Sequence, residues 1–354
     1  MVGDGSLEEN KGLLNFPEDY LQFDKENLLK QYSLLTEDIK KAYNLERTFE
    51  LPESIHGFDN IFFLGMGGSS ISGAILKTYL EELKVNIPIY VVEGYDLPPT
   101  ITSNSLVFAI SYSGNTEETI SSYRQAIKVT NKVIALSTGG HLEEISNVNR
   151  RPFMKVPKGY QPRTAALSYL LFPILKILEF YKIVQPQGII VDYLIKSIQK
   201  TDFKKITSEL SEKLIYAVPI IYASDKYFPI AYRFKCELNE HAKIHAFANK
   251  YSEFNHNEIC GYENLQATYH IVTFRFDDDH RRIQKRMDIV KELTKKAGVS
   301  TTEIKLSGDH FFTKAFSAIL IGDYTAFYLA LRYKTDPSPV KIIEDLKEKL
   351  GPMI

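Results

Sequence analysis

Twice in its first half the chain passes from a short apolar run into a Gly/Ser turn and from there directly into a segment of helical period. The first instance is NIFFLG, MGGSS and ISGAILKTYLEEL from Asn60; the second is SLVFAIS, YSGNT and EETISSYRQAIKV from Ser105. A buried strand that feeds a helix through a tight turn comes back to its sheet as a parallel neighbour, by a right-handed crossover. PIYVVEG and KVIALST supply two more strands of the same kind. The repeat predicts a doubly wound α/β lobe, a central parallel sheet flanked by helices.

The pattern restarts in the second half with VPIIYAS, the helix PIAYRFKCELNEHAK, the short apolar IHAFAN, the loop KYSEFNHNE, the strand YHIVTFRF, a charged helix around HRRIQKRMDIVKELTKKAG, and TEIKLS. A length of 354 residues suits two such lobes. Between them RPFMKVPKGYQPR reads as a Pro/Gly loop, ALSYLLFPILKILEFY as a buried helix interrupted by Pro173, and KIVQPQGIIVDYL as a linker. We therefore expect a helical lead-in over residues 1–50, a first lobe over 51–190 and a second over 191–354. The second closes with a long helix, a DPSP break and the helix KIIEDLKEKL.

Lys and Arg number 43 against 44 Asp and Glu, so no global field recruits nucleic acid or an anionic membrane, and any anion must be held locally. Even HRRIQKR is flanked by Asp277 to Asp279 and by Asp288 and Glu292, as on a charge-paired, solvated face. No apolar run approaches the roughly eighteen residues that a membrane span needs, and MVGDGSLEENKG is unlike a signal peptide. Cys236 and Cys260, with no C-x-x-C pair, fit buried thiols in a reducing compartment. The expected location is the cytoplasm.

The Gly65 to Ser70 turn lets backbone approach an anion while a helix start offers unpaired amides. A dinucleotide fold uses the same device, and Glu93 sits where a ribose-binding acid would; the third glycine of that fingerprint, however, is Ser70 here. Ser111 to Thr116 offers three hydroxyls and several amides at one helix start, which suits a phosphate monoester. Alone it equally fits an ordinary N-capped turn. Two such turns in neighbouring strand-turn-helix units weigh toward the phosphate, and no Gly-Lys-Ser/Thr follows either to make a nucleotide loop.

GMGGSS together with SYSGNTEET resembles the signature of the sugar isomerase (SIS) domain, and the chain from about residue 20 onward resembles the bifunctional phosphoglucose/phosphomannose isomerases. The resemblance implies two SIS-type lobes and a substrate phosphate held by Ser69, Ser111, Ser113 and Thr116, with Gly68 contributing backbone.

Isomerising an aldose phosphate to a ketose requires ring opening and proton transfer between C1 and C2 through an enediolate, hence a base, a ring-oxygen acid/base and a cation. Asn239-Glu240-His241-Ala242-Lys243 and Asn255-His256-Asn257-Glu258 are similar to the family's Asn-Glu-Asn-Ala-Lys and Asn-His-Asn-Glu motifs, with His241 replacing the middle Asn. By that resemblance Glu240 is the base, His256 opens the ring with Lys347, and Arg163 faces the enediolate. Pattern alone leaves plainer readings open: Glu240 on a solvated acidic face, His256 in a turn, Arg163 in a surface ion pair and Lys347 facing water. His241 and His245 at i, i+4, with His256 and Glu258 nearby, also raise a zinc site, but no His-Glu-x-x-His is present. Many relatives carry a threonine where this chain has Ser338 and Val340, a departure that bears on C2 stereochemistry.

The reading as a whole is an isomerase acting on glucose 6-phosphate and mannose 6-phosphate, with no metal, nicotinamide or nucleic-acid partner. It would be a homodimer, since apolar helices such as residues 316–333 are expected to be exposed. The alternatives are a non-catalytic sugar-phosphate sensor and an aminosugar or heptose phosphate isomerase.

Overall fold

Strands and helices alternate along the chain in the order that the apolar runs dictate. A computed structural model describes residues 18–51, 57–161 and 166–351. A 3-10 turn at Glu18–Phe23 precedes α1 (Leu28–Ser33) and α2 (Leu35–Tyr43). Then come β1 (Ile61–Leu64), α3 (Gly68–Glu82), β2 (Ile89–Val92), β3 (Leu106–Ile110), α4 (Glu117–Val129), β4 (Val133–Ser137), α5 (Gly140–Val148), β5 (Phe153–Lys155), α6 (Leu167–Phe180) and α7 (Gly188–Lys200). The second series is α8 (Lys204–Lys213), β6 (Val218–Ala223), α9 (Phe228–Glu240), β7 (Phe247–Lys250), α10 (Tyr251–Phe254), β8 (Tyr269–Phe276), α11 (Arg281–Lys296), β9 (Ser300–Leu306), α12 (Phe311–Arg332) and α13 (Lys341–Leu350). Two compact units result, one of residues 31–196 and one of residues 18–30 with 197–350.

The first unit holds a parallel sheet in the order β2-β1-β3-β4-β5. Every residue of β1, β3 and β4 is buried, which is why IFFL, LVFAI and VIALS are continuous apolar runs and not alternating ones. Phe63 stacks on Phe108 with ring centroids 5.6 Å apart. It also meets α3 at Gly73, where a Cβ would come 2.5 Å from Phe63 Cβ. Glycine there lets the helix close down on the sheet, and each large side chain so covered contributes roughly 1.5–3 kcal/mol.

The second unit repeats the topology with β7-β6-β8-β9, again all parallel. Here α12 packs on α8 and α9, while α11 packs on β9 and α10.

Several expectations need correction. The apolar stretch 316–333 is not exposed: α12 is buried along most of its length, as a helix apolar all round should be. Exposed apolar side chains appear instead on α13, where Ile342, Leu346 and Leu350 face solvent. The supposed linker contains α7, whose Val191 and Leu194 are buried. The Pro/Gly loop contains the edge strand β5, secured where Ala135 N–H donates to Pro152 O at 3.0 Å. Helix α9 ends at Glu240 and not Lys243, because Lys243 takes a left-handed φ of +58°. KYSEFNHNE is partly helical, and Cys260 is exposed. Cys236 is half-buried, and burial pushes its thiol up to about 11.

Candidate active site

In the first sheet the chain moves from β1 outward to β2 and then back across to β3, so β1 and β3 are neighbours whose following helices diverge. Ligands of open parallel sheets bind at such a switch point, beyond the carboxyl ends of the strands. Pairing of Leu64 with Ala109 puts the Gly65–Ser70 and Ser111–Thr116 turns side by side there.

The first turn uses Gly67 at φ +53° to enter α3 at Gly68 with no side-chain cap. Gly65 is confined, since a Cβ would meet Ile110 O at 3.0 Å and Ser70 N at 3.1 Å. Ser70 turns inward and donates to Glu93 Oε1 at 2.6 Å. Glu93, the acid that a dinucleotide reading would have assigned to a ribose, is thus bonded within the turn's own frame. Ser69 is the hydroxyl directed at the second turn, and its Oγ accepts from Tyr112 N–H at 3.3 Å.

In the second turn Ser111 is wholly buried, its Oγ 3.0 Å from Thr116 Oγ1 and accepting from Gly114 N–H at 3.1 Å. It braces the turn from behind. Ser113 is exposed, its Oγ accepting from Asn115 N–H at 3.3 Å. Thr116 occupies the N-cap position of α4 yet makes no side-chain cap bond. The ordinary capped-turn reading is therefore not what the turn does: the first amides of both α3 and α4 lack side-chain caps, as an anion cradle needs.

A third turn, between β4 and α5, had no role in the sequence reading and supports the second one. Leu142 N–H donates to Gly114 O and His141 N–H to Asn115 Oδ1, both at 2.9 Å. Gly139 and Gly140 make the approach possible; a Cβ on Gly140 would stand 2.6 Å from Ser113 O. Tyr112 was missed as well. Its hydroxyl donates to Pro157 O at 3.0 Å and accepts from Tyr160 N–H at 2.9 Å, tying the phosphate turn to the segment that leads toward Arg163. The Gly-Gly pair was the visible signal for the third turn, whereas nothing local marked Tyr112. Arg163 itself lies outside the described residues.

The second unit carries the acid/base candidates. Glu240 ends α9 and is half-buried. His256 and Lys347 are exposed, the first just after α10 and the second on α13. In a parallel β-α-β unit the helix runs back against the strands. The end of α9, with Glu240, therefore lies at the amino edge of the sheet, while His256, reached only after β7 has been traversed, lies at the carboxyl edge. Glu240 and His256 thus fall at opposite edges of the second sheet. His241 and His245 do not pair either: His241 is buried against Glu237 and Pro337 O, whereas His245 is exposed beyond the helix end. No group of three His, Cys, Asp or Glu suited to a metal occurs among the described residues. None of the described helices is long and apolar enough to cross a membrane.

Two parallel α/β lobes, with paired Ser/Gly turns at the switch point of the first, define a protein of the sugar isomerase (SIS) class. A family model described as "SIS domain" matches residues 54–146, and one described as "Bacterial phospho-glucose isomerase C-terminal SIS domain" matches residues 201–350. The C-terminal domain of glucosamine-fructose-6-phosphate aminotransferase from Francisella tularensis shares the fold. Its TM-score is 0.68 at 16% identity, over 88% of this chain and 98% of that one. A bifunctional phosphoglucose/phosphomannose isomerase of Caldicellulosiruptor bescii is 36% identical over 90% of this chain and 97% of its own length. A D-glucosamine-6-phosphate 4-epimerase of Sulfolobus acidocaldarius is 35% identical over 60% of this chain and 67% of its own. The chain belongs to the bifunctional phosphoglucose/phosphomannose isomerase family.

Proposed function

We propose that this protein interconverts glucose 6-phosphate and mannose 6-phosphate with fructose 6-phosphate by proton transfer through an enediolate. The observation that carries the reading is the pair of uncapped Ser/Gly turns at the first sheet's switch point. Gly68 amide and the Ser69, Ser113 and Thr116 hydroxyls hold the phosphate, and Ser111 keeps the turn in shape. His256 with Lys347 moves the C1 hydroxyl proton to the ring oxygen, which opens the ring. Glu240 then takes the C2 proton of the open aldose and returns it to C1, while a proton passes from O2 to O1. Arg163 offsets the negative charge that builds on the enediolate oxygens.

The position of His256 on the sheet edge opposite Glu240 supports a homodimer in which each subunit lends its His256 to the other's Glu240. The open apolar face of α13 supports the same assembly. The cytoplasm is the compartment where hexose phosphates would meet this chain.

The test is fructose 6-phosphate formation from each aldose in the presence of EDTA, with glucosamine 6-phosphate as a third substrate. Binding of all three without turnover of glucose or mannose 6-phosphate would favour the sensor reading; turnover of the amino sugar alone would favour an aminosugar enzyme. In deuterated water, Glu240→Gln should abolish exchange at C2, and exchange that survives removes Glu240 from the base role.

A further inference from the structure

His241, the one residue of its motif that departs from the family's Asn-Glu-Asn-Ala-Lys pattern, has no exposed surface. Its Nδ1 lies 2.8 Å from the carbonyl oxygen of Pro337 and its Nε2 lies 2.8 Å from Glu237 Oε2. A carbonyl only accepts, so Nδ1 carries a proton and donates it. Nε2 faces the Glu237 carboxylate at contact distance without completing a hydrogen bond. Glu237 in turn approaches Arg233 at 3.4 Å, and Arg233 grips Asp323 of α12 with both terminal nitrogens. A buried polar chain thus runs from α12 through three successive turns of α9 to one backbone carbonyl in the segment 336–340.

Lys243 holds the same segment from the left-handed turn that ends the helix. Its Nζ donates to Pro339 O at 2.6 Å, lies 3.4 Å from Pro337 O, and also donates to the carbonyl of Glu240. Pro337 and Pro339 bring no N–H of their own to close a turn, so donors from outside must fix its carbonyls. A further constraint is local: Ser338 N–H donates to Asp336 Oδ1 at 3.0 Å. Ser338 is buried at the centre of this frame, with 3% of its surface exposed.

We propose that His241 is a positioning residue for Glu240: by donating to the Pro337 carbonyl it holds the 336–340 segment and the Glu240 end of α9 at a fixed spacing, while its approach to the buried Glu237, Arg233 and Asp323 chain adds stability. The inference rests on Glu240 being the proton-moving base. Because the substrates differ only in configuration at C2, a base with a looser setting also changes the balance between them. His241 therefore controls the turnover number and the ratio of mannose to glucose 6-phosphate turnover, with little effect on the grip of the phosphate, which belongs to the other unit.

The experiment compares full-length His241→Leu, His241→Asn and Glu240→Gln for kcat and KM on both aldoses, together with thermal unfolding. His241→Leu removes both contacts. It should lower kcat roughly 10- to 100-fold, the scale of a 1 Å displacement of a positioned group, with KM within about twofold. His241→Asn keeps a donor for Pro337 O but falls short of Glu237; it should recover most of kcat while its melting temperature stays as low as that of His241→Leu. Unchanged kcat in His241→Leu overturns the proposal, as does an Asn variant no better than Leu with both following stability alone. If His241→Leu does not fold, Lys243→Met carries the test, because losing the second grip should lower kcat at constant KM; unchanged kcat there also overturns it. Full activity in Glu240→Gln removes the Glu240 reading and this proposal with it, whereas an inactive Glu240→Gln beside an unaffected His241→Leu overturns the proposal alone.

Discussion

Gly114→Ala tests the phosphate grip most sharply, because its cost can be compared with that of Gly67→Ala in the neighbouring turn. Both glycines have positive φ, +74° at Gly114 and +53° at Gly67, so alanine at either costs about 1–3 kcal/mol in backbone strain. Their surroundings differ. A Cβ on Gly67 meets nothing within 4 Å, whereas one on Gly114 would stand 1.8 Å from Gly139 O and 2.8 Å from Gly139 C, both backbone atoms. Restoring an ordinary 3.4 Å separation from that oxygen requires a shift of 1.6 Å, the difference of the two distances. A movement of that size takes Ser113 and Thr116 out of hydrogen-bond range of a phosphate held by Ser69. At roughly 1.5–3 kcal/mol for each bond to a charged acceptor, two such losses come to about 3–6 kcal/mol. The expected outcome is a fall in kcat/KM of roughly 150- to 25,000-fold for Gly114→Ala, against less than about tenfold for Gly67→Ala. Steady-state kinetics with glucose 6-phosphate reads this, alongside competition by inorganic phosphate to isolate the grip. A Gly114→Ala enzyme within tenfold of wild type, or one that loses turnover while phosphate still competes as before, would refute the argument that this turn is held rigidly against the third and binds phosphate.

Mixing Glu240→Gln and His256→Ala subunits should restore activity, because a hybrid dimer regains one intact site if His256 acts across the interface; random pairing caps recovery at about a quarter of wild type. No recovery would place both groups on the same chain's site. Tyr112→Phe loses a hydroxyl with two partners and should cost about 1–2 kcal/mol of stability, accompanied by a higher KM, measured by denaturant unfolding and kinetics. Burial pushes the His270 imidazole down from 6.5 to about 4, with Lys213 adding to the shift, while its Nε2 lies 2.9 Å from Thr302 Oγ1. The neutral ring is favoured in the fold, so its contribution is complete above pH 6.5 and is lost as pH falls toward 4; His270→Phe should flatten that part of the stability profile. Asp323→Ala leaves Arg233 buried beside one carboxylate fewer and should cost about 3–5 kcal/mol in thermal or denaturant unfolding.

Both sheets were legible because buried parallel strands must be continuous apolar runs, and IFFL, LVFAI, VIALS, VPIIYA and YHIVTFRF could hardly be anything else between glycines and polar turns. β5 was not, since three residues inside a Pro/Gly segment carry no period, and its strand character comes from the edge of β4. α7 was hidden for a related reason: GIIVDYLI is rich in β-branched residues, and its buried positions, Val191 and Leu194, are too few to show a stripe. At the site, local chemistry marked the glycines and hydroxyls of the two candidate phosphate turns, but not Tyr112. It did not distinguish the buried Ser111 brace from the exposed Ser113, a difference of direction within a single turn. Nor did it show that Glu240 and His256, sixteen positions apart by residue number, fall on opposite sheet edges, which depends on β7 lying between them.

The two lobes share a strand order at their centres, so topology alone does not explain why the uncapped Ser/Gly turns we propose as a phosphate cradle occur in the first. The second has an equivalent switch point, between β6 and β8, and its turns are already occupied by side chains of opposite charge. Lys226 Nζ lies 2.6 Å from Asp278, Lys314 lies 2.9 Å from Asp278 and 3.1 Å from Asp277, and Ser224 donates to Asp279. Burial works against ionisation of Asp278, but the two lysines overcome it and hold the carboxyl below its usual range. An anion arriving there would meet three aspartates before any free amide, and the cations beside them are already bonded. In the first lobe the corresponding turns carry glycine and serine in place of acids, so the helix ends keep their partial positive charge for a ligand. What separates an open lobe from a closed one is thus the chemistry of two short turns on one framework.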